Sequence, residues 1–283
     1  MRLHLTFFGD SRFNPGKKRL RKSAALFGCF DSVIEFDDNA LKAAPFWSQH
    51  AQAVFVPRNK NNKHGSYISY YMAKPYIVLH ALERLPDNDV LLYLDAGCEL
   101  NPQGLQKFNS YVAASEKNGA LFFRCPVPLI KWTKMDTYRR ICGADDSHFF
   151  SRMPIAGVFF LKKTQAAIAL VKEWLSICIE ARGKYLADTP SVAPNHVTFS
   201  HHVHDQAILA SILLRDQPHN AFVFSDDFLL AQPFAKEAER LKISDRSAAA
   251  QLWHENAAEY PIWIVRTGRF EKGFLDYSTE RID

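Results

Sequence analysis

The chain has 283 residues, of which 47% are hydrophobic and 23% charged, and a formal net charge of +5. This composition is typical of a globular protein with a sizeable core and excludes a disordered chain. No apolar run approaches the roughly 20 residues that cross a bilayer, which excludes a membrane-spanning helix.

The first half of the chain alternates between strand-like and helix-like segments. The pattern predicts strands over 3–8, 32–36, 90–94 and 120–123, and helices over 17–27, 66–85 and 102–117. The helical spacing over 66–85 is interrupted at Lys74-Pro75, and we expect these two residues to lie near a helix start, where the missing N–H of proline costs little. The apolar run over 90–94 indicates a strand that is buried on both faces.

The second half continues the alternation. It predicts a strand over 155–161, a helix capped by Thr164 and running to 181, a loop over 183–203 and a helix over 205–215. Strands follow over 221–224 and 262–265, with one further helix in the tail. The whole pattern predicts an α/β fold with one Rossmann-like, mixed, mostly parallel sheet flanked by helices in a single domain, 1–283.

The cysteines and the first residues predict the compartment. The five cysteines show no C-x-x-C spacing, which argues against a disulfide framework and a cysteine zinc site. The start MRLHLTFFGDSRF lacks the long apolar centre and cleavage site of a secretory signal. We therefore expect a cytoplasmic protein.

A basic cluster lies near the N-terminus. It comprises Lys17, Lys18, Arg19, Arg21 and Lys22. It is either a solvated helix face or a surface that meets an anionic membrane or a phosphorylated substrate. No nucleic-acid-binding motif accompanies it, so we expect no nucleic acid partner.

The segment VLLYLDAGCELN carries the strongest functional pattern. Asp95 directly follows the most apolar strand, and ligands of open α/β sheets bind beyond the carboxyl ends of strands. Asp95 could instead cap the following turn. Gly97 would let a ligand phosphate or sugar approach the backbone. A haloacid-dehalogenase-type phosphatase needs a second Asp at the position of Gly97, so that class lacks its general acid here. The first strand lacks the G-x-G-x-x-G of a Rossmann dehydrogenase. A GT-A glycosyltransferase, with an Asp-x-Asp-type element at a strand end, remains the better match, although here the second Asp is missing.

The segment HHVHDQAILASIL is the second candidate. His196, His201, His202 and His204 lie close to Asp205 in sequence, which suggests a metal, but the spacing of known histidine metal motifs is absent. For His196 and His201 we favour polar loop positions. His204, Asp205 and Gln206 precede an apolar helix, whose N-terminus favours anions.

Three weaker signals lie elsewhere. Trp132, Lys134 and Asp136 form a short polar and aromatic segment suited to stacking on a sugar and bonding its hydroxyls. Lys74 and the arginines of the segment 266–269 could neutralise a diphosphate, or could be surface charges.

Taken in order, these motifs resemble those of bacterial glycosyltransferase-like proteins associated with capsule and other surface-polysaccharide synthesis. The resemblance rests on TFFGDSRF, Lys74-Pro75, LLYLDAGCELN, WTKMD, Ala156-Gly157 and HVHDQAILASIL. More distantly, Asp95, Ala156-Gly157 and Asp205-Gln206 are similar to glycogenin and to lipooligosaccharide galactosyltransferases. The resemblance implies a GT-A fold, a manganese or magnesium ion, and transfer with retention.

The resemblance also implies roles for the two halves of the chain. Residues 1–125 would bind the nucleoside diphosphate sugar, most simply a UDP-sugar, and 126–283 would hold the donor sugar and a glycan or lipid-linked acceptor. Asp95, Asp205 and Gln206 would be catalytic, Asp95 and His204 would hold the metal, and Trp132, Lys134 and Asp136 would bind the acceptor. The predicted donor-binding residues are Thr6, Phe7, Gly9, Asp10, Lys74, Asp95, Ala96, Gly97, Ala156 and Gly157.

Two alternatives stay open at this point. The first is a metal-dependent hydrolase that uses the histidines between His196 and Asp205. The second is a catalytically degenerate scaffold of a polysaccharide assembly complex, for which the missing second Asp is the main argument.

Overall fold

The structure, a computed structural model, describes residues 1–54, 68–217, 222–227 and 260–264. Its main sheet has six strands in the order β2-β1-β3-β6-β5-β7. Their bounds are β1 Leu3–Phe8, β2 Ser32–Phe36, β3 Val90–Asp95, β5 Ala120–Pro128, β6 Arg152–Lys162 and β7 Val223–Ser225. A small second sheet pairs β4, Cys98–Leu100, with β8, Ile262–Ile264, in antiparallel register.

Strand direction confirms the predicted mixed, mostly parallel sheet. Strand β1 runs parallel to both β2 and β3, and β7 runs parallel to β5. Strand β6 alone is antiparallel, to β3 on one side and β5 on the other. Since β3 and β5 both oppose β6, they share one direction, and the carboxyl ends of β1, β2, β3, β5 and β7 meet at one edge.

Helices cover both faces of this sheet. Their bounds are α1 Asn14–Phe27, α2 Asp38–Ala43, α3 Ile68–Arg84, α4 Leu105–Asn118, α5 Leu129–Trp132, α6 Met135–Cys142, α7 Gln165–Ile179 and α8 His204–Asp216. On β3, Leu91 and Tyr93 face the core formed with α3 and α7, while Leu92 and Leu94 face α1 and α4. The alternation explains why this strand is continuously apolar. Within the described ranges, no helix is both long and apolar enough to cross a bilayer.

Several predicted boundaries change. The predicted helix start at Lys74-Pro75 is wrong, because α3 begins at Ile68 and Pro75 lies inside it. Pro75 withdraws one helical N–H bond, but it is buried, and Met72 and Ile77 on either side of it have no exposed surface. Packing therefore outweighs the local penalty. Helix α7 ends at Ile179, the strand expected over 221–224 is β7, and the predicted tail helix lies outside the described residues.

At the opposite edge of the sheet, where β1 and β3 begin, lies the buried carboxylate of Asp89. Asp89 accepts hydrogen bonds from the backbone N–H of Arg2 at 2.8 Å, from Arg2 Nε at 3.1 Å, and from His4 Nε2 at 3.1 Å. Burial raises the pKa of Asp89, but the bonds from Arg2 and His4 outweigh burial and hold the pKa below its ordinary value. The carboxylate thus joins the start of β1 to the turn before β3.

We expect Asp89→Asn to lower the free energy of unfolding by about 1–3 kcal/mol at neutral pH, because an amide cannot accept all three bonds. Since the pKa of Asp89 is lowered by folding, its contribution is present above the unfolded pKa of about 3.9 and is lost as the pH falls through the folded value. Urea unfolding against pH measures both effects. The matched control is Asp87→Asn, whose side chain is 84% exposed; an equal loss in the control would contradict the assignment to Asp89.

Candidate active site

Asp95 is the last residue of β3 and lies at the carboxyl edge of the sheet. Its side chain is 46% exposed. Two residues earlier on the same strand face, Tyr93 donates its hydroxyl to Asp95 Oδ1 at 3.0 Å. In parallel register Asp95 lies beside Phe8, so the turn of Gly9 and Asp10 follows β1 at the same edge. This is the position at which open α/β sheets bind ligands.

Lys74 reaches this edge from the middle of α3. Its buried Nζ lies 3.1 Å from Asp95 Oδ1, 3.0 Å from Asp205 Oδ2, and 3.3 Å from the carbonyl oxygen of Ala156. The Ala156 carbonyl accepts a hydrogen bond from this ammonium group, and the two carboxylates pair with it as ions. In this arrangement Lys74 orients two carboxylates, and its contacts are made within the protein.

Charge and burial oppose each other at Lys74. Burial lowers the pKa of Lys74, but Asp205 and Asp95 together raise it well above its ordinary value. Burial also raises the pKa of Asp205, and Lys74 opposes that shift. With all three groups ionised the cluster carries a net charge of −1, and its open side is the Asp95 carboxylate.

The start of α8 is fixed against the sheet and α7. The Asp205 carbonyl accepts a bond from Trp174 Nε1 at 3.0 Å, and Gln206 Oε1 accepts from the backbone N–H of Ala156 at 3.4 Å. His204, the first residue of α8, has a φ of +50°, a left-handed conformation that costs roughly 1–2 kcal/mol outside glycine. These contacts hold Asp205 and Gln206 toward Asp95 and Ala156.

Two glycines permit the close approach of backbone at this edge. A Cβ on Gly157 would lie 2.8 Å from Asp95 Oδ2, so a larger residue would displace the carboxylate. A Cβ on Gly9 would lie 2.8 Å from Phe13 Cβ and 3.0 Å from Ala96 Cβ. Gly157 therefore allows Asp95 Oδ2, the oxygen that Lys74 and Tyr93 do not contact, to pack closely against the β6 backbone.

The structure corrects part of the predicted donor site. Thr6 and Phe7 have no exposed surface, and the Thr6 hydroxyl donates to the carbonyl of Ile34. They are interior residues of a central strand, so they make no surface for a nucleotide. Asp10 is at the edge but buried, and its carboxylate is bonded to the Arg12 guanidinium. Gly9, Ala96 and Gly97 lie at or beside the edge, where donor binding stays a prediction.

The residues of the predicted acceptor segment have different roles in the structure. Lys134 is buried, and its Nζ donates to the carbonyls of Lys184 at 2.7 Å and Ala187 at 2.6 Å and to Thr189 Oγ1 at 3.2 Å. Asp136 accepts from the backbone N–H groups of residues 192 and 193. Both side chains fix the loop over 183–203. The three donors of Lys134 are used within the protein, which corrects its prediction as a sugar-binding group, whereas sugar binding by Asp136 stays a prediction.

Trp132 differs from these two residues because it is half-buried, with its ring 5.6 Å from that of His201. Acceptor binding by Trp132 stays a prediction.

The four histidines do not converge. His202 is buried, donates Nε2–H to the Tyr185 carbonyl at 2.9 Å, and has its pKa lowered to about 3, mainly by burial. His204 Nδ1 lies 3.0 Å from the Leu186 carbonyl, while His196 and His201 contact neighbouring hydroxyls. Within the described residues, no group of three His, Cys, Asp or Glu side chains could hold a metal ion. The predicted hydrolase cluster is therefore not formed.

The same test applies to the divalent ion implied by the resemblance. Asp95 offers one open carboxylate oxygen beside Gly157, and Gly97 supplies no second carboxylate. His204 Nδ1 is bonded to a carbonyl, so only its Nε2 could serve as a ligand, which would make two protein ligands at most among the described residues. In the described part of the chain, the donor set does not fit a resident divalent ion.

Sequence patterns missed two groups that shape this site. Tyr93 was visible only as an apolar strand residue, although its position two before Asp95 places it on the same face. Trp174 lies far away in sequence and gives no local signal. The arginines of the segment 266–269 lie outside the described residues.

Comparisons with known proteins concern the fold. No family model matches this sequence, and no curated protein matches it. The galactosyltransferase LgtC, in complex with donor and acceptor sugar analogues, is similar at 12% identity and a TM-score of 0.46, over 92% of this chain and 86% of that one. A glycosyltransferase involved in the glycosylation of the major capsid of PBCV-1 has 13% identity and a TM-score of 0.44, over 81% and 84%. Mouse xyloside xylosyltransferase 1 has 11% identity and a TM-score of 0.41, over 82% and 86%. At these values the likeness extends to the general fold and no further.

We expect Lys74→Met to lower the free energy of unfolding by about 3–5 kcal/mol, because it leaves the buried Asp205 carboxylate without its cation. Adding Asp205→Asn should recover about 1–3 kcal/mol, since the double variant no longer buries an uncompensated charge. Urea unfolding of the wild type, both single variants and the double variant measures the coupling. Additive losses would contradict the ion pair.

We expect Lys134→Met to lower the free energy of unfolding by about 1–3 kcal/mol and to accelerate proteolysis within 183–203, because three acceptors of this loop lose their common donor. The control is Lys131→Met, since Lys131 is exposed on the neighbouring helix. A Lys134 variant with wild-type stability and proteolysis but weaker sugar binding would restore the acceptor role.

Proposed function

We propose that this chain transfers a sugar from a nucleoside diphosphate donor to a hydroxyl group of an acceptor. The observation that carries the proposal is the Lys74 ammonium, held between Asp95 and Asp205 at the carboxyl edge of a mixed sheet. The order of motifs around these three residues is the one that resembles glycosyltransferases.

The charge of the cluster suits the chemistry of glycosyl transfer. When the bond between the anomeric carbon and the diphosphate breaks, positive charge develops on the sugar ring. Fixed negative charge that is already oriented stabilises such a transition state without reorganisation. The cluster of Lys74, Asp95 and Asp205 carries a net charge of −1 and is joined by two ion pairs. Its open side would face the anomeric carbon.

Gln206 is suited to hold the donor sugar. Its Nε2 lies 3.6 Å from the Met153 sulfur, a weak acceptor, and this contact can be exchanged for a sugar oxygen. Its Oε1 is anchored to Ala156, which fixes the direction of the amide. Asp95, whose side chain is 46% exposed, would accept a bond from a hydroxyl of the bound donor.

The leaving diphosphate would lie toward α1. The aliphatic chain of Lys17 approaches Gly9, which also contacts Ala96, so the basic helix lies next to the Asp95 turn. A surface pocket there is lined by Asn14, Pro15, Lys17, Lys18, Arg21 and Glu35. Lys17 and Arg21 pair with Glu35 in this pocket, and on this proposal they would turn to the diphosphate near the N-terminus of α1. On this proposal the N-terminal half binds the nucleotide and the C-terminal half the sugars.

The finer part of the proposal follows the sequence resemblance. We place the reaction in surface-polysaccharide synthesis in the cytoplasm, with a UDP-hexose donor, a glycan or lipid-linked acceptor and retained configuration. Peripheral contact with an anionic membrane would use the exposed residues of the basic helix, such as Lys18 and Arg21. A degenerate scaffold remains the second candidate, because Gly97 stands where a second carboxylate is expected.

We expect Asp95→Asn to lower turnover or donor hydrolysis about 100-fold or more, since it removes the open negative charge of the cluster. The measurement is release of nucleoside diphosphate from a panel of nucleoside diphosphate sugars, with and without EDTA. The unfolding free energy should change little, because Asp95 is 46% exposed.

Asp87→Asn, in the exposed turn before β3, is the matched control and should keep wild-type turnover. Wild-type turnover in the Asp95 variant would refute a catalytic role for Asp95. Absence of binding and turnover in the wild type with every donor would favour the scaffold.

A further inference from the structure

His204 is the half-buried residue that immediately precedes Asp205, and its ring is held on two sides. The imidazole stacks on the Tyr71 ring with centroids 4.4 Å apart and planes 14° apart. Its Nδ1 lies 3.0 Å from the carbonyl oxygen of Leu186. The ring therefore has a fixed position between α3 and the end of the 183–203 loop.

These contacts decide which nitrogen can meet a ligand. A carbonyl oxygen only accepts, so Nδ1 of His204 must carry a proton and donate it. In the neutral imidazole the lone pair is then on Nε2. The hydrogen bond that holds the ring uses Nδ1, which leaves Nε2 as the nitrogen that a ligand could meet.

The backbone supports a ligand-directed role. His204 holds a φ of +50°, which glycine or asparagine adopts more readily. Helix α8 could begin with a residue better suited to this conformation, yet it presents an imidazole beside Asp205 and Gln206. Strained residues that neighbouring contacts hold in place are concentrated at ligand sites.

We propose that Nε2 of His204 accepts a hydrogen bond from a hydroxyl group of the donor sugar, which makes His204 a specificity-determining residue. A phosphate at neutral pH has no proton to give to a neutral imidazole, whereas a sugar hydroxyl does. The Tyr71 ring that stacks on His204 lies about one helical turn before Lys74 on α3, and Lys74 contacts Asp205. His204 would therefore meet the donor sugar from the side of α3, next to the Lys74 cluster. This inference rests on the proposed function and adds the donor-sugar contact to it.

The test compares His204→Asn with the wild type. Asparagine adopts a left-handed φ, and its amide N–H can replace Nδ1–H on the Leu186 carbonyl, so the variant removes Nε2 while keeping the loop contact. His201→Asn is the matched control, since His201 is exposed and lies three residues away. A second variant, Tyr71→Leu, removes the stacking ring and leaves the imidazole.

Calorimetry measures the affinity of each protein for UDP, GDP, ADP and dTDP and for their glucose and galactose conjugates. The sugar increment is the ratio of the affinity for a sugar conjugate to the affinity for its diphosphate. In His204→Asn we expect this increment to fall about 3- to 10-fold, the loss of one hydrogen bond, with the diphosphate affinity unchanged. Tyr71→Leu should lower it by a smaller factor, and His201→Asn should match the wild type.

An unchanged sugar increment in His204→Asn would overturn the inference while the proposed function stands. Equal weakening of diphosphate and conjugate would also overturn it, because the hydroxyl would then belong to the ribose or the effect to the fold. Failure of the wild type to bind every diphosphate and conjugate would refute the proposed function itself, and this inference with it.

Discussion

The ammonium group of Lys74, whose side chain is 12% exposed, makes the contacts on which the candidate site depends. It joins the middle of α3 to the carboxyl end of β3, to β6 and to the first turn of α8 through contacts of 3.0 to 3.3 Å. A buried ion pair is weak evidence for stability, since well-packed apolar residues often do as well. Its value here is positional, because it fixes two carboxylates that would repel each other without the cation between them.

The sheet topology explains how residues so distant in sequence meet. Parallel β1 and β3 place Gly9 and Asp95 at one edge, and antiparallel β6 brings Ala156 and Gly157 next to them. Helix α8 contributes Ile208 and Leu209 to the core with α3 and α7, and Ala207 and Leu214 to the core on the other side. Its first turn is therefore held at the boundary of the two cores, where Asp205 faces Lys74.

Sequence patterns predict the sheet and its edge better than the roles of individual side chains. The apolar run before Asp95 and the alternation of strands and helices depend on local periodicity, which a single sequence displays. The ion pair of Lys74 joins residues 131 positions apart, and no local pattern encodes such a contact. The error at Pro75 has the same cause, since a buried helix face outweighed a local preference.

The polar segment around Lys134 shows a related limit. Lysine and aspartate next to tryptophan are chemically suited to sugars, but the same groups also satisfy backbone carbonyls and N–H groups of an irregular loop. The loop over 183–203 forms no helix or strand and needs such partners. Burial of Lys134 distinguishes the two uses, and burial depends on the tertiary fold. The four histidines show the same limit, because they are close in sequence but each contacts a different group of the loop.

The most direct test of the central claim is a crystal structure of the protein with a bound nucleoside diphosphate sugar. The account predicts the diphosphate between the Asp95 turn and the start of α1, with the sugar against Asp95, Asp205 and Gln206. Lys74 should stay within hydrogen-bond distance of Asp205. A nucleotide sugar bound away from the carboxyl edge, with the Lys74 cluster untouched by the ligand, would contradict the account.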